Sequence, residues 1–139
     1  MFKKILNAND GSETAFRSLS LAIALAKQNA SELHLVCVEE IPYMPEFVQE
    51  VEEQDENAAR RIQGVLKQAR EMAASEQVTL HTHVLKGHPV RDIVRLAEEL
   101  KADLVVIGAV GHSALYERLI GSRADRIVQL APCPVLVAK

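Results

Sequence analysis

The chain has no tryptophan and only 4% aromatic residues, which leaves few platforms on which the bases of single-stranded nucleic acid stack. Its net charge of -3 argues in the same direction, since nucleic-acid binders display a basic face. Cysteine is scarce. Cys37 lies in an apolar run and Cys133 between two prolines, and neither has the spacing of a metal knuckle or a redox pair. Each reads as a buried or incidental thiol. Long hydrophobic runs are missing too: the apolar stretch behind Lys3 and Lys4 stops at Asn7, far short of a secretory core segment or a membrane span. The expected location is the cytoplasm, with no membrane and no nucleic acid as partner.

Catalytic signatures are equally thin. The chain has no Gly-x4-Gly-Lys-Ser/Thr loop, no Gly-x-Gly-x2-Gly turn and no Gly-x-Ser-x-Gly elbow. His81 and His83 share one strand face by their i, i+2 spacing, but no third ligand stands near them in sequence, so no metal site is expected. No side chain stands out as a base for activating water, and no catalytic residue is assigned.

What the chain does have is apolar material in an ordered pattern. Its 139 residues with 48% hydrophobic content suit a single domain, residues 1–139, around one core. Short apolar runs alternate with longer helical stripes, the signature of repeated strand-helix units and a parallel sheet. Strands are expected over Lys4–Asn9, Glu32–Val38, Val78–Leu85, Leu104–Ile107 and Val135–Ala138. Helices are expected over Glu13–Asn29, Phe47–Ser75, Pro89–Leu100 and Ser122–Leu130. In the third helix Val90, Ile93, Val94, Ala97 and Leu100 should face inward. In the third strand Val78, Leu80, Thr82 and Val84 should form the drier face of an edge strand, opposite His81 and His83.

The most informative feature follows the fourth strand, which empties into Gly108-x2-Gly111-x9-Gly121-Ser122 just where a helical pattern begins. Glycine lets backbone N–H groups approach an anion closely, and a helix start adds unpaired N–H groups and the positive end of the dipole. The expected ligand group is a phosphate, with the N–H groups of Arg123 and Ala124 also in reach. His112 and Arg118, on the loop between the glycines, are candidates to pair with a phosphate oxygen. Asp10, at the end of the first strand, reads either as a ribose-binding carboxylate or as the turn-former of Asp-Gly-Ser.

Taken over Ala102-Asp103-Leu104-Val105-Val106-Ile107-Gly108-Ala109-Val110-Gly111-His112-Ser113, Leu119-Ile120-Gly121-Ser122 and Ala131-Pro132-Cys133-Pro134-Val135-Leu136-Val137, the chain resembles a universal stress protein. The opening Lys4-Ile5-Leu6, the Asp10-Gly11-Ser12-Glu13 turn and Gly87-His88-Pro89 extend the resemblance to the whole chain. It implies a doubly wound, Rossmann-like α/β fold: five parallel strands in the order 3-2-1-4-5 with helices on both faces. In such a sheet the ligand crevice lies where the strand order reverses, at the carboxyl ends of strands one and four.

The resemblance further implies an ATP-binding member of the family, since its intact glycine pattern marks that group. ATP with Mg²⁺ is then the expected cofactor. Asp10 would contact the ribose, Ala8 and Val38 would line the adenine pocket, and Gly108, Gly111, Gly121 and Ser122 would hold the phosphates. Asn7 and Asn9 depart from the apolar or small residues usual in the family's first strand, which points to an unusual adenine side of the pocket. The implied role is a nucleotide-dependent regulatory or stress-response switch with slow or no ATP hydrolysis, acting on an unidentified protein partner. A homodimer is expected through Val135, Leu136 and Val137, whose edge position leaves backbone groups to pair. Two other readings compete: a nucleotide-independent interaction module of the same fold, and a flavodoxin-like redox protein. The first has the glycine pattern against it. The second would need its phosphate loop after strand one, where Asp10 and Glu13 bring negative charge.

Overall fold

Strand β1 (Lys4–Ala8) runs through the middle of the molecule, with Ile5, Leu6 and Asn7 fully buried. A computed structural model describes residues 1–41, 48–110 and 120–139, with backbone alone for residues 48–55. After β1 come α1 (Glu13–Asn29), β2 (Glu32–Glu40), α2 (Val48–Ser75), β3 (Leu80–Gly87), α3 (Pro89–Leu100), β4 (Leu104–Gly108), α4 (Ser122–Leu130) and β5 (Val135–Ala138). The strands pair in parallel in the order β3-β2-β1-β4-β5. Fold class and strand order are those the sequence led us to expect.

Buried residues on both faces of the sheet follow from helices on both faces. Leu19, Leu35, Leu66 and Val106 belong to the core under α1 and α2. Leu6, Ile93, Val105 and Ile127 belong to the one under α3 and α4. Helix α1 starts where Ser12 caps it, its Oγ accepting the Ala15 N–H at 3.2 Å. It lies so close to β4 that a Cβ on Gly108 would come within 2.7 Å of the Thr14 carbonyl carbon and 2.8 Å of the Ala15 nitrogen.

Three local expectations need correction. Strand β3 starts at Leu80 instead of Val78, because the Val78 N–H donates to the Ala73 carbonyl at 2.9 Å and closes the end of α2 instead of joining the ladder. The ladder begins with Leu33 opposite Leu80 and carries β2 on to Glu40 opposite Gly87. The expected dry face of β3 is only partly dry: Val84 is 47% exposed, while His83 is half-buried against β2. In α3 the buried residues are Asp92, Ile93, Leu96 and Ala97. Val90 and Leu100 do pack against the core, though only half-buried, whereas Val94 is half-buried and is not among the residues packed on it. Asp92 goes inward because its Oδ2 accepts the His88 N–H at 2.9 Å and fills the space left by Gly87, where a Cβ would sit 2.0 Å from that oxygen.

Candidate functional site

Strand order reverses between β1 and β4: the chain leaves β1 toward β2, and β4 toward β5. The turns at their carboxyl ends therefore part and leave a cavity of about 520 Å³. Of the expected site residues, Ala8, Asp10, Val38, Gly108, Gly121, Ser122, Arg123 and Ala124 all line it. Gly111 and His112 lie outside the described residues, as does Arg118. Sequence reasoning missed the apolar wall formed by Val36, Pro89, Ile93 and Ile127. Of these, Ile93 carried a signal, its place on the inward stripe of α3.

The phosphate end of the cavity is built by backbone. Gly121 is the N-cap of α4, in extended conformation, and has no side chain to satisfy the helix start. The first backbone bond of this helix runs from the Asp125 N–H to the Gly121 carbonyl at 3.0 Å. Ahead of it, the N–H groups of Ser122, Arg123 and Ala124 occupy the positions that an α-helix leaves without intrahelical partners. Gly121 is tied back to the end of β4, its N–H donating to the Ala109 carbonyl at 2.6 Å. A Cβ at Gly121 would meet that same carbonyl oxygen at 3.3 Å.

The two glycines thus have different reasons. Gly108 is required by the approach of α1, whose Thr14 and Ala15 a Cβ would strike. Gly121 keeps the turn into α4 tight.

At the opposite wall, Asp10 lines the cavity while its Oδ1 accepts the Ser12 N–H at 2.9 Å. Asp10 is thus the turn-former of Asp-Gly-Ser and at the same time part of the cavity wall. Asn9 also lines the cavity; its Oδ1 accepts the Gly11 N–H at 2.8 Å, and its buried Nδ2 has no partner. Asn7 corrects an expectation. It faces α1 and does not shape the cavity, because its Nδ2 donates to Ser18 Oγ and to the Val106 carbonyl, both at 2.9 Å. Burial pushes the Cys37 thiol up to about 11, so this cysteine is an inert part of the core.

Arg123 contributes a side chain as well as an N–H. Its Nη2 donates to both carboxylate oxygens of Glu40, at 2.9 and 2.8 Å, joining the start of α4 to the end of β2. Glu40 had no signal in the sequence beyond its place at a strand end.

A second polar cluster lies on β2 and β3. The His34 ring stacks on His81 and His83, with centroids 4.8 and 5.1 Å away. Its Nδ1 shares a hydrogen bond with His83 Nε2 at 2.8 Å, and its Nε2 one with Glu32 Oε1 at 2.6 Å. Burial first, then the neighbouring His34 and His81, holds the His83 imidazole below its ordinary value. Among the described residues no group of three or more His, Cys, Asp or Glu side chains is placed to hold a metal ion. Nor is any helix among them long and apolar enough to cross a membrane.

Comparison with known proteins agrees with this architecture. The model of the universal stress protein family matches residues 1–139. A universal stress protein of Methanocaldococcus jannaschii is 34% identical over 147 residues, covering 100% of this chain and 83% of that protein. Among solved structures, the universal stress protein UspA from Lactobacillus plantarum superposes with a TM-score of 0.90 at 24% identity, covering 99% of this chain and 97% of the other. A universal stress protein crystallised in complex with cAMP superposes with a TM-score of 0.77 at 25% identity, covering 99% and 97%.

Proposed function

Because the chain belongs to the universal stress protein family, we propose that it binds ATP with Mg²⁺ in the β1/β4 cavity and acts as a nucleotide-dependent switch in a stress response. The observation that carries this reading is the coincidence of three N–H groups at the start of α4 with one cavity that also contains Asp10 and an apolar wall. A polyphosphate suits the helix start, a ribose hydroxyl suits the Asp10 carboxylate, and a purine suits Ala8, Val36 and Val38. The volume lies within the range typical of small-molecule sites. A structural relative in complex with cAMP supports the adenine nucleotide class.

In this reading the phosphates rest on Ser122, Arg123 and Ala124, joined by Gly111 and His112 of the glycine pattern. Mg²⁺ enters with ATP, held by phosphate oxygens and water, the ligand set that this ion favours. Turnover is slow or absent, because the groups assigned here position phosphates and do not activate a water. The output is a change of conformation or of protein partner, and the unit is a homodimer paired through Val135, Leu136 and Val137. Calorimetric titration with MgATP tests the binding claim. Saturable binding is expected, and none at millimolar nucleotide would refute it.

A further inference from the structure

Asp10 and Arg123 are the charged residues among the described lining of the cavity. Arg123 stands in the first turn of α4, and its guanidinium reaches away from the helix axis to Glu40 at the end of β2. In the sheet order, β1 lies between β2 and β4, so this ion pair bridges elements on either side of the carboxyl end of β1. It is an exposed pair, with side chains 56% and 59% accessible, and such pairs hold their partners weakly. The contact engages Nη2 alone, although a guanidinium offers five donors in a planar fork that matches a phosphate.

We propose that the Arg123 side chain reads the outer phosphates of the bound nucleotide, and that Glu40 competes with those phosphates for it. The inference rests on the adenine-nucleotide reading of the cavity and adds a selectivity to it. The backbone N–H groups at the start of α4 would donate to any phosphate, whereas the longer arginine reaches one that projects beyond the helix start. A triphosphate outbids the Glu40 carboxylate, since it carries more charge and more acceptor oxygens. A nucleoside leaves Arg123 with Glu40. The pair thereby sets how strongly the site prefers a nucleoside triphosphate over the same nucleoside without phosphates, and its rearrangement links ligand charge to the contact between α4 and β2.

The test is calorimetric titration of the full chain with adenosine and with ATP, for the wild type, Arg123→Met, Glu40→Gln and the double variant. Circular dichroism confirms the fold of each. Arg123→Met should weaken ATP binding about tenfold, the scale of a lost charge-assisted contact, and leave adenosine within about twofold. Glu40→Gln should tighten ATP binding by about threefold, the scale of an exposed ion pair, and that gain should vanish in the Arg123→Met background. Equal ATP affinities for wild type and Arg123→Met, with adenosine bound by both, would overturn the inference and leave the nucleotide reading standing. A Glu40→Gln gain of the same size with and without Arg123 would overturn the competition, because Glu40 would then act by repelling phosphate directly. Binding of neither compound by the wild type would refute the nucleotide reading and this inference with it.

Discussion

Glycine and serine at the start of α4 show how far single residues can be read from sequence. The positions were legible, because strand, glycines and helix start follow one another without interruption. The reasons were only partly so. What a Cβ would strike at Gly108 is set by α1, whose Thr14 and Ala15 are remote in the chain. Asn7 likewise stood out in an apolar strand, yet its partner Ser18 lies on α1, where helical periodicity registers only that the position faces inward. Ser122 supports a sharper experiment than either glycine. It is the first helical residue, a site where proline fits because its missing N–H has no intrahelical role. The preceding Gly121, at φ -63 and ψ 156, already has the extended conformation that proline imposes on its neighbour. Ser122→Pro should thus fold normally and remove one of the three N–H donors. The expected result is about tenfold weaker ATP binding, the scale of a hydrogen bond to a charged group, with adenosine affinity unchanged. Undiminished ATP affinity would remove the helix start from the site.

Among the elements, the β2–β3 pair holds the least predictable feature. His81 and His83 announced themselves by spacing, but His34 did not, because its place opposite them depends on the register His34 to His81 and Val36 to His83. Three imidazoles and the Glu32 carboxylate now share one surface of the sheet, with His34 almost fully buried. Protonation of His83 would place a charge in a partly desolvated position, and the neighbouring His34 and His81 rings add to that cost. A group whose folded value lies below its unfolded one takes up protons more readily when unfolded. Stability then rises with pH across the interval between the two values. The contribution of His83 is present above the ordinary imidazole value of 6.5 and is lost as pH falls below it. Thermal unfolding between pH 7.5 and 5 should show a falling Tm that flattens in His83→Gln. An identical slope in both proteins would assign the pH dependence elsewhere. Acidification further, into the carboxylate range, engages Glu32, whose hydrogen bond to His34 holds it below its usual value.

At the scale of the whole molecule, element order was legible because each strand-helix unit carries its own periodicity. Strand order followed from the family resemblance. Element ends were less legible, since they depend on capping bonds such as Val78 to Ala73. The sheet ends at β5, where Leu136 is 36% exposed and Val135 and Val137 are half-buried. An apolar edge strand of this kind invites pairing, and two-fold pairing of two copies would satisfy both edges. Sedimentation of the chain at micromolar concentration should give a dimer, and Val135→Lys with Val137→Lys a monomer. A monomeric wild type would rule out the β5 dimer. The central claim, however, concerns the cavity where β1 and β4 part. Its most direct test is titration of the isotopically labelled chain with MgATP, followed residue by residue through backbone amide resonances. The account predicts saturable shifts concentrated at Asp10, Val38, Gly108 and Gly121 through Ala124. Shifts centred elsewhere, or none at saturating nucleotide, would contradict it.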